Sequence, residues 1–266
     1  MDFAPVDEKG FVDVEALADL IRPDTTLVSI MAVNNEIGSI QPIEAISKLL
    51  ADKPTISFHV DAVQALAKIP TKNYLTDRVD FATFSGHKFH GVRGVGFVYI
   101  KSGKKITPLL TGGGQERDYR STTENVAGIA ATAKALRLSM EKLDIFTNKT
   151  GQMKSVIRQA LLDYPDIFVF SDEDDFAPHI LTFGIKGVRG EVIVHAFEDY
   201  DIFISTTSAC SSKAGKPAGT LIAMGVDKDK AQSAVRLSLD LENDMSQVEQ
   251  FLTKLKLIYN QTRKVR

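Results

Sequence analysis

The fold is constrained most by an apolar run, residues 79–84, that ends abruptly at Ser85-Gly86-His87-Lys88. A run of this length is typical of a buried strand, and the glycine indicates where the strand stops. In α/β folds, ligands bind just beyond the carboxyl ends of strands, so a lysine in this position is a candidate functional group.

The chemistry of these side chains suits one kind of cofactor. A lysine amine forms a Schiff base with an aldehyde, which is how enzymes hold pyridoxal 5′-phosphate (PLP). Ser85 and His87 can donate hydrogen bonds to a phosphate. A solvated lysine in a loop explains the same residues, so this motif alone leaves both interpretations open.

Apolar runs alternate with helical patterns through the first hundred residues. We predict strands at 26–33, 55–60, 79–84 and 96–100, with those at 26–33 and 79–84 buried, and helices at 14–21 and 42–50. Pro42 stands at the first position of the second helix, where proline is favoured. This order of elements predicts an α/β domain with a largely parallel sheet.

The first three of these strands end in polar residues, which are Asn34 and Asn35, then Asp61 and Gln64, then Ser85, His87 and Lys88. A carboxylate just past a buried strand is costly to desolvate unless it has a cationic partner. The pyridinium nitrogen of PLP would be such a partner for Asp61. Capping of the next helix is the other common use of an aspartate there. Together these strand ends predict a lined pocket.

The amino-acid composition indicates which classes of function are expected for the chain and which are not. The chain has 266 residues, of which 44% are hydrophobic and 25% charged, as in an ordinary globular protein. A net charge of -2 gives no reason to expect nucleic acid, and the sequence shows neither a membrane-spanning run nor a signal pattern. A single cysteine cannot form an intrachain disulfide, which favours the cytoplasm. No metal-ligand spacing is present, so no metal is expected.

The second half of the chain predicts a smaller α+β domain. We place the boundary on the first of two long helices, so that the predicted domains are residues 1–137 and 138–266. The predicted elements are helices at 126–148, 153–162 and 191–200, strands at 167–170, 180–183, 202–204 and 235–239, and a final helix opened by the capping box Ser246-x-x-Glu249.

Three features elsewhere in the chain carry possible chemistry. The loop 111–125 is rich in glycine and contains Arg120, so it either serves an anion or is simply a long polar loop. Cys210 lies among small residues, and Lys213 and Lys216 would lower the pKa of its thiol from about 8.5. Arg236, in the strand at 235–239, is either a surface residue or a fork for a substrate carboxylate.

Taken in order, these motifs resemble the PLP-dependent cysteine desulfurases of the NifS/IscS type, within the class V aminotransferase group. The resemblance covers essentially the whole chain. It is carried by Asn34-Asn-Glu-Ile-Gly38, Asp61-Ala-Val-Gln64, Ser85-Gly-His-Lys88, Gly112-Gly-Gly-Gln-Glu116, Arg120-Ser-Thr-Thr-Glu-Asn125, Ser208-Ala-Cys210 and Arg236-Leu-Ser-Leu239. It implies a PLP-dependent transferase fold, with an aspartate aminotransferase-like large domain and a small C-terminal α+β domain.

The resemblance also implies roles. The cofactor residues would be Lys88 for the Schiff base and proton shuttle, Asp61 for the pyridinium, Asn35 and Gln64 for the phenolic oxygen side, Ser85 and His87 for the phosphate, and Thr123 from the partner subunit of a homodimer. Arg236 would bind the carboxylate of the substrate L-cysteine, and Cys210 would take its sulfur as a persulfide and leave L-alanine. Acceptor or scaffold proteins would receive the sulfur for iron–sulfur cluster assembly or for thiolation of tRNA or cofactors.

The sequence departs from the family pattern in three places. Asp240 and Thr122 stand where the family usually has glycine. No counterpart is expected for the family's N-terminal segment, which supplies a phosphate loop and a ring-stacking histidine. The alternatives to a working desulfurase are therefore an inactive, truncated remnant and another class V enzyme such as selenocysteine lyase, although Cys210 favours sulfur chemistry.

Overall fold

The computed structural model describes residues 1–172, 174–207 and 219–264. The chain divides into two compact units. The lysine unit comprises residues 22–32 and 43–143, and the arginine unit comprises residues 1–21, 33–42 and 144–266. The predicted boundary between residues 137 and 138 lies within a helix of the lysine unit, whereas the two N-terminal stretches belong to the arginine unit by contact. The assignment of functional domains stays a prediction.

The lysine unit is built on a four-stranded sheet. Three strands run parallel, β1 (Leu27–Met31), β2 (Ser57–Asp61) and β3 (Phe81–Ser85), and β4 (Gly96–Ile100) pairs antiparallel with β3. The largely parallel sheet predicted from the sequence is confirmed. The unit also contains helices α2 (Ile43–Leu49) and α3 (Val126–Glu141). Its 3-10 turns are Thr71–Asn73, Gly86–Phe89 and Gln115–Asp118.

The strands of this sheet are buried on one face. In β1, Val28 and Ile30 are buried, whereas Leu27 and Met31 are 55% and 42% exposed. The same alternation runs through β2 and β3. The predicted burial of the strands at 26–33 and 79–84 therefore holds for one face of the sheet only. Successive side chains of a strand point to opposite faces, and the described residues of this unit cover one of them.

The arginine unit contains an antiparallel sheet in the order β5-β6-β8-β7. Its strands are β5 (Ile167–Val169), β6 (Ile180–Ile185), β7 (Ser205–Thr206) and β8 (Ala234–Ser238). Its helices are α1 (Val14–Leu20), α4 (Leu143–Leu162), α5 (Gly190–Glu198), α6 (Gly219–Ala223), α7 (Lys228–Gln232) and α8 (Met245–Lys264). The first residue of α4 belongs to the lysine unit. The main core packs α4, α5 and α8 on β6 and β8. Among the described residues, no helix is long and apolar enough to cross a membrane.

The two long helices divide at Lys142 and not between residues 148 and 153, so that prediction is wrong. Residues 148–151 include asparagine, threonine and glycine, which favour a helix only weakly. Burial compensates for the low helix propensity of these residues, because Phe146, Thr150 and Met153 lie on one buried side of α4. The Thr150 hydroxyl also donates to the Phe146 carbonyl at 2.7 Å.

Two shorter predictions also need correction. The strand expected at 202–204 is found at Ser205–Thr206, where the backbone pairs with Arg236 and Val235 of β8. The cap of α8 is Asp244 and not the predicted Ser246. The Asp244 carboxylate accepts the Gln247 N–H at 3.0 Å and the Ser246 hydroxyl at 2.6 Å, so Ser246 is a donor to the cap.

An ion cluster around the buried Asp80 lies just before β3 in the lysine unit. Asp80, which is 2% exposed, accepts hydrogen bonds from the Phe58 N–H at 2.9 Å and Arg78 Nη1 at 2.7 Å, and it lies 3.3 Å from Lys104 Nζ. Burial by itself would raise the pKa of the Asp80 carboxyl. The Phe58 N–H and the two cations outweigh burial and hold the pKa below its ordinary value.

We expect Asp80→Asn to lower the free energy of unfolding at pH 7 by about 3 kcal/mol, because it removes one partner of a buried ion pair. The folded-state pKa is depressed, so the stabilisation is present above the unfolded value of about 3.9 and is lost as the pH falls through the folded value. Urea denaturation from pH 7 to pH 3 should therefore show the gap between the two proteins closing in acid. The exposed Asp77→Asn is the control, and a gap that stays constant would contradict the prediction.

Candidate active site

The carboxyl ends of β2 and β3 bring Asp61 and Ser85 to one edge of the sheet in the lysine unit. Asp61 pairs in register with Thr83, and the Ala62 N–H donates to the Thr83 carbonyl at 3.1 Å. Ser85 is the last residue of β3 and shares the Thr83 face of the strand. The two residues predicted from separate motifs therefore lie on adjacent strand ends.

Lys88 is held by the 3-10 turn Gly86–Phe89, which follows β3 directly. The turn is closed by a hydrogen bond from the Gly91 N–H to the Gly86 carbonyl at 2.9 Å. A Cβ atom on Gly91 would lie 2.7 Å from that carbonyl oxygen, so a larger residue would clash with it. Phe89 is 1% exposed and anchors the turn, whereas Lys88 is half-buried. The glycines of this stretch thus fix the lysine beside the strand ends.

Asp61 does not cap a helix. Its Oδ1 accepts the Val63 N–H at 3.0 Å, but residues 63–68 form turns. The carboxylate is exposed at the end of β2. Of the two interpretations left open by the sequence, the structure therefore removes helix capping.

The side chains gathered in the lysine unit fit PLP. Lys88 offers a primary amine for the aldehyde, Asp61 a carboxylate for the pyridinium nitrogen, and Ser85 and His87 donors for the phosphate. The Ser85 hydroxyl does not cap the turn that it precedes, and His87 is exposed. Both side chains can therefore bind a ligand without loss of a turn cap or of core packing. Gln64 is half-buried in the turns after Asp61.

His59 is a polar residue of this region that sequence analysis missed. Its Nδ1 lies 2.8 Å from Ser29 Oγ and its Nε2 lies 3.1 Å from Thr83 Oγ1, so it links β1, β2 and β3. Burial lowers the pKa of His59, and the nearby Asp61 charge opposes that shift. The available signal was spacing, because His59 and Asp61 are alternate residues of one strand and share a face.

The loop 111–125 is exposed over most of its length, including Arg120 and Thr123. Within the loop, the Ser121 hydroxyl donates to the Gly113 carbonyl at 2.5 Å. The 3-10 turn within it contains Glu116 and Arg117 at φ of 51° and 56°. The role of Thr123 in a partner subunit stays a prediction.

Asn35 and Arg236 come together in the arginine unit. Arg236 Nη1 donates to the Asn35 carbonyl at 2.8 Å, across 201 residues of sequence. Arg236 is half-buried in β8, between Thr182 of β6 and Ser205 of β7. The structure therefore excludes the interpretation of Arg236 as an ordinary surface residue.

Asp240, which departs from the family's usual glycine, is accommodated. Its carboxylate Oδ1 accepts the Leu241 N–H at 2.6 Å, and its own N–H donates to Asn243 Oδ1 at 2.8 Å. Its φ is not among the positive values of the described chain, so the position does not require glycine. Cys210, Lys213 and Lys216 lie outside the described residues. Within residues 1–172, 174–207 and 219–264, no cluster of three or more histidine, cysteine or acidic side chains could hold a metal.

The sequence of almost the whole chain matches a known family. Residues 1–251 match aminotransferase class-V, and the chain belongs to that family. Its relatives within the family are cysteine desulfurases of the NifS/IscS type, as the sequence motifs predict. The NifS/IcsS protein homolog of Lactobacillus delbrueckii subsp. bulgaricus is 50% identical over 262 residues, which are 98% of this chain and 68% of that protein. Cysteine desulfurase IscS of Clostridium botulinum is 38% identical over 266 residues, 99% of this chain and 66% of that protein.

Solved structures give the same result. A NifS-like protein superposes with a TM-score of 0.89 at 38% identity, covering 97% of this chain and 68% of its own. The NifS-like protein from Rickettsia africae gives 0.86 at 30% identity, covering 97% and 69%. The chain thus spans about two thirds of the length of these proteins. The predicted α/β fold class and the predicted family are confirmed.

Proposed function

We propose that the chain is a PLP-dependent cysteine desulfurase that converts L-cysteine to L-alanine and takes up the sulfur on Cys210. The observation that supports this most is the position of Lys88, on a glycine-closed turn beside the strand end that carries Asp61. The family relationship adds the reaction type, since the relatives matched over 98–99% of the chain include a cysteine desulfurase.

Each of the proposed cofactor residues would have a distinct role. Ser85 and His87 would bind the phosphate, Asp61 would hold the proton on the ring nitrogen, and Asn35 and Gln64 would contact the phenolic oxygen side. When bound, PLP supplies the electron sink that labilises bonds next to the substrate amine. Lys88 would attach the cofactor and then move a proton to and from the substrate carbon, as positioned lysines do in general acid–base catalysis.

Sulfur transfer would be the work of Cys210. Its thiolate attacks the substrate sulfur, so that an S–S bond forms and the C–S bond breaks. The carbon fragment keeps the electron pair of that bond, takes a proton and leaves as alanine. The sum is L-cysteine plus thiol giving L-alanine plus persulfide. Lys213 and Lys216 would favour the thiolate.

The proposal includes the setting of the enzyme. It would act as a homodimer in the cytoplasm, with Thr123 reaching the phosphate of the partner's cofactor. Acceptor or scaffold proteins would then take the persulfide sulfur for iron–sulfur cluster assembly or for thiolation of tRNA or cofactors.

The test is direct turnover. The chain is incubated with PLP, L-cysteine and a thiol reductant, and alanine and sulfide are measured together. We expect one alanine for each sulfide. The absence of alanine would support an inactive remnant, and release of selenide from selenocysteine with no turnover of cysteine would support a selenocysteine lyase. Either result would overturn the proposal.

Arg236→Lys should raise the KM for L-cysteine by about 30-fold, because it removes a two-pronged contact with the substrate carboxylate worth about 2 kcal/mol. The change should affect kcat much less. The matched control is Arg189→Lys at the start of α5, where the arginine is exposed beside Glu191. An unchanged KM in Arg236→Lys, measured by steady-state alanine release, would remove Arg236 from the substrate site.

A further inference from the structure

Helix α3 of the lysine unit is exposed along most of its length. Its buried residues, Gly128 and Thr132, are both small and lie one helical turn apart. Ser139, two further turns along the same face, is half-buried. The helix packs on the 3-10 turn Gly86–Phe89, which carries Lys88. The covered face of α3 is therefore the one that lies next to the lysine turn.

The contacts at the start of this turn leave little space. A Cβ atom on Gly86 would lie 3.0 Å from Thr132 Cγ2 and 2.9 Å from the Val95 carbonyl oxygen, which accepts the Gly86 N–H at 2.9 Å. A Cβ atom on Gly128 would lie 2.8 Å from Val95 Cγ2. The two glycines therefore permit a close approach of α3, the turn and the residue that precedes β4.

The end of the turn is held by a hydrogen bond from α3. The Ser139 hydroxyl donates to the Phe89 carbonyl at 3.2 Å. This carbonyl belongs to the peptide group between Phe89 and His90, and His90 has a left-handed backbone with φ of 67°. A residue other than glycine adopts that conformation at a cost, which the surrounding contacts must offset. A rotation of the peptide group that relieved His90 would turn the carbonyl away from Ser139, so the Ser139 bond opposes it.

We propose that Ser139 is a positioning residue for Lys88, because its bond to the Phe89 carbonyl fixes the turn in the form that places the lysine amine for attachment of PLP. This inference rests on the proposed function. Lys88 directly precedes Phe89, and the His90 N–H closes the turn on the Gly86 carbonyl, so rotation of the peptide group between Phe89 and His90 would open the turn that holds the lysine. A misplacement of about 1 Å can cost about 100-fold in rate. Ser139 acts through the backbone of the turn and not on the cofactor itself.

The first experiment measures the turn in the cofactor-free chain. Amide hydrogen exchange is compared in the unmodified chain, in Ser139→Ala and in Ser139→Thr, which keeps the hydroxyl. In Ser139→Ala we expect exchange of the His90 and Gly91 N–H groups, which donate to the Gly86 carbonyl, to rise at least about fivefold. In Ser139→Thr it should stay within about twofold of the unmodified chain. Unchanged exchange in Ser139→Ala would overturn the inference.

Two controls separate a local effect from a general loss of stability. Exchange of the β2 amides reports overall unfolding, and it should differ by less than about twofold between the variants. Lys134→Ala changes an exposed residue of α3 and should leave exchange of the turn as it is in the unmodified chain. A rise in the exchange of β2 as large as that of the turn would show a general loss of stability and would overturn the inference.

The second experiment measures the consequence for Lys88. The rate constant of PLP attachment is obtained by borohydride trapping after increasing times and mass spectrometry of the Lys88 peptide. We expect this rate constant to fall about tenfold in Ser139→Ala and to be restored in Ser139→Thr. A protein that is merely less stable would instead show a smaller labelled fraction at an unchanged rate constant, and that result would contradict a positioning role.

Failure of the proposed function gives a different result from failure of the inference. If Lys88 does not attach PLP, the unmodified chain itself forms no trapped adduct at this residue, whereas exchange of the turn still responds to Ser139→Ala. If the proposed function holds and the inference fails, the unmodified chain forms the adduct and Ser139→Ala forms it at the same rate.

Discussion

Lys88→Ala should abolish covalent attachment of PLP and lower alanine release by at least about 100-fold, since the side chain both attaches the cofactor and transfers a proton. Reduction with borohydride, digestion and mass spectrometry of the labelled peptide measure the attachment. Phosphate and ring contacts from other residues remain, so non-covalent binding should be weakened and not lost. We therefore expect the borohydride-trapped adduct to be lost, while non-covalent PLP binding is only weakened.

Lys72→Ala is the control for this experiment, because Lys72 is an exposed lysine on another 3-10 turn of the same unit. It should trap as much PLP as the unmodified chain. A reducible adduct that survives in Lys88→Ala would assign the attachment to a different lysine, and the reading of the turn Gly86–Phe89 would then be wrong.

Cys210→Ser should retain PLP binding and lose both persulfide formation and alanine release. A thiol is ionised by a few per cent at neutral pH and is strongly nucleophilic, whereas a serine hydroxyl is neither. Because Cys210 is the sole cysteine, any protein persulfide detected after reaction with L-cysteine must be on it. The measurement is thiol-reactive labelling with mass spectrometry, together with alanine release.

Ser212→Ala, two residues along the same stretch, is the matched control and should leave both activities unchanged. Normal alanine release by Cys210→Ser would show that the substrate sulfur leaves without an enzyme thiol, and the proposed transfer step would have to be abandoned.

Local patterns were enough to predict the strand ends of the lysine unit. The strands at 55–60 and 79–84 end within one residue of the observed β2 and β3, because polar residues and glycine stop them. Since carboxyl ends of parallel strands share an edge, the sequence predicts Asp61 and Ser85 at one edge of the sheet, and β2 and β3 end side by side there. The glycines around Lys88 similarly signal a tight turn.

Long-range contacts could not be predicted in this way. The bond between Glu36 and Thr220 joins residues 184 apart, and periodicity gives no sign of it. The uninterrupted α4 was missed for a related reason, because its weak residues are held helical by tertiary burial of Phe146 and Met153. His59 was missed because its two partners come from neighbouring strands.

The arginine unit is assembled from stretches that are far apart in the chain, and this sets an order for its folding during synthesis. The bridge between Ser39 and Phe176 and the bond from Ser171 to Ile37 can form only after well over a hundred further residues have been made. At 5–20 residues per second, the turn Asn34–Gly38 must wait roughly 7–27 s for these partners. The last residue of the lysine unit is Leu143, so this unit can begin to fold before those partners are made. Such interleaving also means that the arginine unit cannot be exchanged between proteins as one continuous cassette.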